Sequence, residues 1–333
     1  MQFARLKRRE FITLIGGAAA WPLTARAQQG GAARRVGVLL PASANDAEFQ
    51  ARFGAFLQGL QQRGWSIGQN VRIDARWATA DVAEIRKYAA DLVAIAPDVI
   101  VAHGASTVGP LLQVTRTVPV VFPVIGDPVG AGFVDSLARP GGNATGFMST
   151  EYSMAGKWLE LLKEVGPHIT RVAVLRESTT PTGPAVFGVI QAAAQSLKID
   201  INPVNMRDGV EIESSLAMFS RLPNGGMIVT PGAGAEVFHD LILTLATRHK
   251  LPAIYYIRRF VPLGGLMSYG PDYVEQYRQA AGYVDRILRG ERAADLPVQA
   301  PTRYELVINL KTAKAVGLEV PQALLTRADA VIE

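Results

Sequence analysis

The sequence contains no cysteine among its 333 residues. This absence excludes disulfide scaffolds, thiolate metal sites and dithiol redox centres, and it removes lipid attachment through an N-terminal cysteine. The absence of cysteine also fits an oxidising compartment, where a stray thiol would be a liability. Beyond the N-terminal region, no segment has the 18 uncharged apolar residues that a membrane-spanning helix needs. We therefore expect a soluble, freely diffusing protein with no stable membrane insertion.

Catalytic and metal-binding patterns are equally scarce. There is no H-E-x-x-H, no G-x-S-x-G elbow and no G-x-G-x-x-G after the first predicted strand. His103 lies near Ser106, but nothing fixes a third member of a catalytic triad. The four histidines show no paired spacing for zinc; they are His103, His168, His239 and His249. The sequence predicts no catalytic residue, no metal and no cofactor, and so favours a protein that is not an enzyme.

The sequence also disfavours a nucleotide site. Gly104 and Gly109 have the G-x-x-x-x-G spacing of a phosphate loop, but Pro110 and Leu111 occupy the positions that require Lys and Ser or Thr. Without the lysine there is no charge for the outer phosphates of a nucleotide. The segment PDVIVAHGAST (97–107) instead predicts a buried strand that ends in a glycine and two hydroxyl residues.

The N-terminus has the pattern of an export signal. Arg5, Lys7, Arg8 and Arg9 precede an apolar stretch at 11–23, which is followed by the A-x-A cleavage pattern of residues 25–27. The pair Arg8-Arg9 resembles a twin-arginine signal, whereas Lys7 departs from that pattern, so both twin-arginine and Sec export stay open. We predict a signal peptide at 1–27 and a periplasmic mature protein.

The net charge of +5 resides mostly in that signal. Residues 1–27 hold five basic side chains and one acidic side chain, so about +1 remains for the rest of the chain. No basic patch with interleaved aromatic residues follows. The charge therefore predicts no nucleic-acid partner.

The remaining chain repeats itself. Strands alternate with amphipathic helices, which is typical of parallel sheets. Three segments of the first half are similar to three of the second half: RVGVLLPASA (35–44) to RVAVLRESTT (171–180), DVIVAHGAS (98–106) to GMIVTPGAG (226–234), and TVPVVFP (117–123) to KLPAIYY (250–256). About 300 residues suffice for two domains of ordinary size. The repeat predicts two similar α/β halves whose carboxyl-terminal strand edges face each other across a cleft.

Several motifs resemble those of a known family. They are GDPVGAGFVDSLARPGGNATG (126–146), LPAIY (251–255), GGLMSYGPD (264–272) and the ending PTRYELVINLKTAKAVGLEVPQALLTRADAVIE (301–333). These segments resemble substrate-binding proteins of ABC importers, in the branch with tryptophan- and phenylalanine-binding members. The resemblance implies the type I periplasmic-binding fold, in which two Rossmann-like domains with parallel sheets are joined by a three-crossover hinge and close on ligand.

The resemblance also implies domain boundaries. The N-terminal domain is expected at 34–147 plus 267–299, and the C-terminal domain at 148–266 plus 300–333. The turns RPGGNATG (139–146), PLGGL (262–266) and DLPVQAPT (295–302) are expected where the chain crosses between domains, because Gly and Pro suit hinge backbones.

Candidate ligand contacts lie at predicted strand ends. Asp127, held by Pro128, suits an ammonium or hydroxyl group, while capping of a helix that begins near Val129 is an equal alternative. Ser106 and Thr107, with the N–H groups of Ala105 and Ser106, suit a small anionic group at a helix N-terminus. Simple N-capping by Ser106 stays open as the alternative.

The other candidates come from both halves of the repeat. Loop residues expected to add hydrogen bonds on closure are Ser43, Asn45, Asp46, Thr179 and Thr180. Gly232 lies at the same edge in a glycine-rich loop, TPGAGAE (230–236). Tyr255 and Tyr256 offer an aromatic wall, and because neighbours in a strand alternate faces, one of the two is expected in the core.

Arg258 and Arg259 have two interpretations. One arginine lining the cleft would indicate a more acidic ligand than a plain aromatic amino acid, and the alternative is a solvated surface pair. The sequence thus predicts a solute-binding protein that captures an amino acid or another aromatic or carboxylate-bearing compound for an ABC permease. A sensor that docks on a membrane receptor or kinase is the main alternative, and an exported enzyme is the second.

Overall fold

The computed structural model describes residues 33–79, 81–149, 151–178 and 182–333. The predicted signal peptide at 1–27 and the candidate contacts Thr179 and Thr180 lie outside the described residues. The described chain forms two sheets, both mostly parallel, with helices packed on them. Alternating strands and helices predict this arrangement, because each crossover helix covers one face of its sheet.

The first sheet has five parallel strands in the order β2-β1-β3-β4-β5. They are β1 (Arg34–Leu40), β2 (Val71–Trp77), β3 (Val99–Ala102), β4 (Val120–Ile125) and β5 (Ala144–Met148). The crossover helices are α1 (Ala47–Gln61), α2 (Val82–Ala94) and α3 (Ala105–Val114). Strands β3 and β4 are buried along their whole length, which explains why they appear in the sequence as uninterrupted apolar runs.

The second sheet has seven strands in the order β12-β11-β10-β9-β8-β6-β7. They are β6 (Arg171–Arg176), β7 (Asp200–Asn205), β8 (Gly225–Val229), β9 (Ala253–Tyr255), β10 (Met267–Pro271), β11 (Tyr304–Asn309) and β12 (Ala330–Ile332). Its helices are α4 (Met154–Val165), α5 (Thr182–Leu197), α6 (Gly209–Phe219), α7 (Ala233–Val237), α8 (His239–Arg248), α10 (Leu310–Ala315) and α11 (Gln322–Arg327). Strands β10 and β11 pair antiparallel, and the other neighbours pair parallel.

One further helix, α9 (Tyr273–Leu288), returns the chain to the first sheet. Its residues Tyr277, Ala281 and Val284 are buried in the same core as Phe56 of α1. The two helices approach closely at Gly59, where a Cβ atom would lie 2.8 Å from the Cβ of Ala281. A glycine is therefore required at this contact, because any side chain would push α9 away from α1.

The chain crosses between the domains after β5, after β10 and before β11. The predicted boundary that gave 267–271 to the first domain is wrong. These residues form β10, whose backbone hydrogen bonds are made with β9 and β11 in the second sheet. The second crossing consequently follows β10 at Asp272, the N-cap of α9, rather than falling in the turn at 262–266.

Candidate ligand-binding cleft

A cavity of about 670 Å³ lies between the carboxyl-terminal edges of the two sheets. The first domain lines it with the loops that follow β1, β3 and β4, and the second domain with the loops that follow β8 and β9. The N-terminal ends of α1 and α9 complete the wall. This is the edge at which open parallel sheets bind ligands, because strand ends and helix N-termini meet there.

Four rings line the cavity, and they come from both domains. They are Phe49 of α1, His103 after β3, Tyr256 after β9 and Tyr273 at the start of α9. Phe49 and His103 pack edge to face, with their ring centroids 4.8 Å apart. Aromatic faces and edges of this kind provide flat apolar contact for a planar ligand group.

His103 contributes a neutral ring. Burial, with a smaller effect from the nearby positive charge of Arg52, lowers the pKa of His103 well below its usual value. Its Nδ1 shares a 2.9 Å hydrogen bond with the hydroxyl of Tyr277, which fixes the ring in place. At neutral pH the imidazole therefore offers a hydrogen-bonding ring and no charge.

Arg52 brings a positive charge to the first-domain wall. It lies three residues after Phe49 on α1, and its side chain is only 5% exposed. Its Nη2 donates to Oε1 of Glu48. The guanidinium carbon lies 4.8 Å from the ring centroid of Phe49 and 4.9 Å from that of Tyr273. Two aromatic rings thus stabilise a nearly buried cation by cation–π contact.

A second charged cluster enters from the opposite domain. Nη1 of Arg259 donates to Oε2 of Glu236 at 2.7 Å, and the hydroxyl of Tyr256 donates to Oε1 of the same carboxylate. Burial, together with the negative charge of Glu236, raises the pKa of Tyr256 well above its usual value, so its hydroxyl stays protonated. Nε of Arg259 also lies 3.9 Å from Oε2 of Glu48, so the two charged clusters meet across the cleft.

Asp127 follows β4 and also links the two domains. Its Oδ1 accepts a 2.8 Å hydrogen bond from the backbone N–H of Gly130, and its Oδ2 accepts one of 3.2 Å from the hydroxyl of Tyr152. Residues 128–132 form turns rather than the helix that the capping alternative required. Tyr152 packs on the core of the second domain. The carboxylate is half-buried and holds a negative charge at the cavity wall.

The structure brings part of the predicted set to the cavity. The predicted residues that line it are Asp46, Ala105, Asp127, Gly232 and Tyr256. Asp46 also caps α1, since its Oδ1 accepts from the backbone N–H groups of Glu48 and Phe49.

Other predicted residues lie elsewhere for local reasons. Thr107 is fully buried, and its hydroxyl donates to the carbonyl of His103 instead of forming a rim. Tyr255 is buried away from the cavity and stacks on Phe260 at 4.7 Å, whereas Tyr256 is buried in the same core and also lines the cavity. The remaining described candidates are exposed or buried away from the cavity: Ser43, Asn45, Ser106 and Pro128.

Sequence reasoning did not name several residues of the cavity wall. These are Phe49, Arg52, Glu236 and Tyr273. Arg259 also lines the cavity, which is one of the two interpretations that the sequence left open for it. Arg52 carries a detectable signal, because it interrupts the apolar face of α1 between Phe49 and Phe56. Arg258 does not line the cavity; it is partly exposed and forms a 2.9 Å ion pair with Glu305.

The family is decided by a comparison that covers nearly the whole described chain. The family described as ABC transporter substrate binding protein matches residues 35–332. The chain belongs to this family. Substrate-binding proteins of ABC transporters work outside the cytoplasmic membrane. In the part of the chain that the structure describes, no helix is long and apolar enough to span a membrane, and no group of three or more metal-ligating side chains is found.

Individual relatives agree with the assignment to the substrate-binding protein family. A tyrosine-binding protein of Clostridioides difficile is 24% identical over 270 residues, covering 79% of this chain and 76% of the relative. A Streptococcus structure in complex with L-Trp has a TM-score of 0.79 and 24% identity, covering 90% of this chain and 100% of the other. A conserved domain protein from Vibrio cholerae has a TM-score of 0.78 and 26% identity, covering 90% and 99%. The expected type I periplasmic-binding fold is confirmed.

Proposed function

We propose that this substrate-binding protein captures an aromatic amino acid in the cleft and delivers it, chemically unchanged, to an ABC permease from the periplasm. The observation that supports the proposal is the composition of the cavity wall. Aromatic rings, a nearly buried arginine and acidic side chains surround one space of about 670 Å³. That volume lies within the usual range for small-molecule sites.

The chemistry of an aromatic amino acid matches this wall in three respects. Its ring can pack against Tyr256 and Phe49, and burial of apolar surface is the main source of affinity in such a site. Its ammonium group can approach the carboxylate of Asp127, which retains acceptor capacity beyond its two present hydrogen bonds. The relatives support the ligand class, since one is named for tyrosine and another holds L-Trp.

The position of the cavity supports capture by closure. Its walls come from two domains linked by three chain crossings, and Asp127–Tyr152 and Glu48–Arg259 contacts already join the two sides. A ligand that touches both walls stabilises the closed form over the open form, because it gains all of its contacts only there. The closed form is then what a permease recognises.

A thermal-shift screen tests the proposal. We expect L-tyrosine, L-tryptophan or L-phenylalanine at about a thousand times its dissociation constant to stabilise the protein by about 4 kcal/mol. For about 300 residues this corresponds to a rise in Tm of about 6 °C. Neutral sugars serve as the control class and are expected to leave Tm unchanged. A shift with sugars and none with the three amino acids would refute the proposed ligand class.

A further inference from the structure

Arg52 has an unused hydrogen-bond donor in a place where unused donors are costly. The residue is 4% exposed and lines the cavity. Its Nε is buried and has no hydrogen-bond partner among the described residues. A buried N–H of a charged group without an acceptor is unfavourable, and because Arg52 lines the cavity, an acceptor on a bound ligand would relieve that cost.

The surroundings of Arg52 indicate what kind of acceptor fits. Phe49 and Tyr273 lie within 5 Å of the guanidinium carbon and cover the group without offering a hydrogen-bond acceptor from their rings. Glu48 accepts from Nη2, which leaves the Nε donor open. A guanidinium presents its donors as a planar fork that matches the two oxygens of a carboxylate.

Arg259, which also lines the cavity, differs from Arg52 in its exposure and in its hydrogen-bond partners. Arg259 is bound to the carboxylate of Glu236 at 2.7 Å, and its side chain is 34% exposed, so water can satisfy its remaining donors. Arg52 therefore differs from Arg259 in both burial and unsatisfied hydrogen-bonding capacity. This difference selects Arg52 as the group that requires a ligand.

We propose that Arg52 binds the carboxylate group of the ligand through its open Nε donor, and that Glu48 is the internal counterion with which this carboxylate competes. The assignment rests on the proposed function, which supplies an amino acid as ligand, and it adds the residue that selects for the acid group. Amines that lack the carboxylate are consequently expected to bind more weakly than the amino acid. Such a ligand would leave Nε without an acceptor, and the loss of a buried charged hydrogen bond is costly.

Three probes and one matched pair of variants test the assignment by titration calorimetry. The probes are L-tyrosine, tyramine, which lacks the carboxylate, and 3-(4-hydroxyphenyl)propanoate, which lacks the ammonium group. The test variant is Arg52→Gln, and the control is Arg258→Gln, an arginine that pairs with Glu305 and does not line the cavity. Thermal melting of both variants without ligand reports whether the fold is retained.

We expect Arg52→Gln to weaken L-tyrosine and the propanoate by about 10- to 100-fold while tyramine changes less than threefold. Arg258→Gln should change none of the three by more than threefold. An equal loss for all three probes in Arg52→Gln, or no loss for the two acids, overturns the assignment while the proposed function stands. Failure of the wild-type protein to bind L-tyrosine, L-tryptophan and L-phenylalanine alike overturns the proposed function and this assignment together.

A second variant tests the competition with Glu48, and its expected change in affinity for the propanoate is opposite to that of Arg52→Gln. Glu48→Gln removes the internal carboxylate and leaves Arg52 in place. We expect it to bind the propanoate severalfold more tightly than the wild-type protein does. Weaker binding of the propanoate in Glu48→Gln would contradict the role of Glu48 as a competitor.

Discussion

Asp127→Asn separates charge from shape at the cavity wall. The asparagine carbonyl can still accept from the backbone N–H of Gly130, and its amide can still hydrogen-bond with the hydroxyl of Tyr152, which are the two contacts that Asp127 makes. Only the negative charge is lost. If that charge holds the ligand ammonium group, the variant loses one charge-assisted hydrogen bond, which is worth about 1.5–3 kcal/mol when well shielded.

The half-exposed position of Asp127 places the effect at the lower end of that range, because water screens the charge. We therefore expect a loss of about 1.5 kcal/mol, which is at least a tenfold rise in the Kd of L-tyrosine. Calorimetric titration measures it, with 3-(4-hydroxyphenyl)propanoate as the control ligand, whose affinity should not fall. Unchanged affinity for L-tyrosine, with the melting temperature retained, would remove Asp127 from the ammonium site.

Three further substitutions test the packing and the buried groups. Gly59→Ala should lower the free energy of unfolding by about 1–3 kcal/mol in urea denaturation, because its Cβ would collide with α9. Tyr277→Phe should cost about 1–3 kcal/mol in the same assay, because it leaves the partly buried ring of His103 without its partner. As pH falls below about 6.5, His103 becomes protonated in the unfolded chain but stays neutral in the folded chain. The free energy of unfolding should therefore fall by up to about 1.4 kcal/mol per pH unit relative to that of a His103→Asn variant. Urea titration at pH 7 and below measures this difference.

The chain offers a matched control for each of the two packing substitutions. Gly54→Ala lies on the same helix as Gly59 with nothing within 4 Å of the new Cβ, so it should stabilise through helix propensity. Tyr255→Phe removes a buried hydroxyl that has no partner among the described residues, so it should cost less than Tyr277→Phe. Equal effects within either pair, or a parallel pH dependence of wild type and His103→Asn, would contradict these physical reasons.

The sequence was sufficient to predict the fold and the edge of the sheets at which the site lies. Buried strands appear as uninterrupted apolar runs, and their alternation with helices predicts parallel sheets. The strand period of two predicts that only one of Tyr255 and Tyr256 belongs to the core; both are buried in it, and Tyr256 alone also lines the cavity.

Features that depend on contacts between distant parts of the chain could not be predicted from the sequence. Residues 267–271 carry no local sign of the sheet they join, because membership depends on hydrogen bonds to β9 and β11. Tyr273 reaches the cavity only because α9 returns to the first domain. Arg52 lies on a helical face that otherwise predicts core, so its role depends on Tyr273, which is more than 200 positions away along the chain.

We propose that the cleft between the two sheets binds an aromatic amino acid. Calorimetric titration of L-tyrosine, L-tryptophan and L-phenylalanine at two temperatures, into the wild-type protein and into Tyr256→Ala, tests it most directly. We expect one site per chain for at least one of the three, a negative heat-capacity change from buried apolar surface, and clearly weaker binding to Tyr256→Ala. No binding of any of the three, or binding that Tyr256→Ala leaves unchanged, would contradict it.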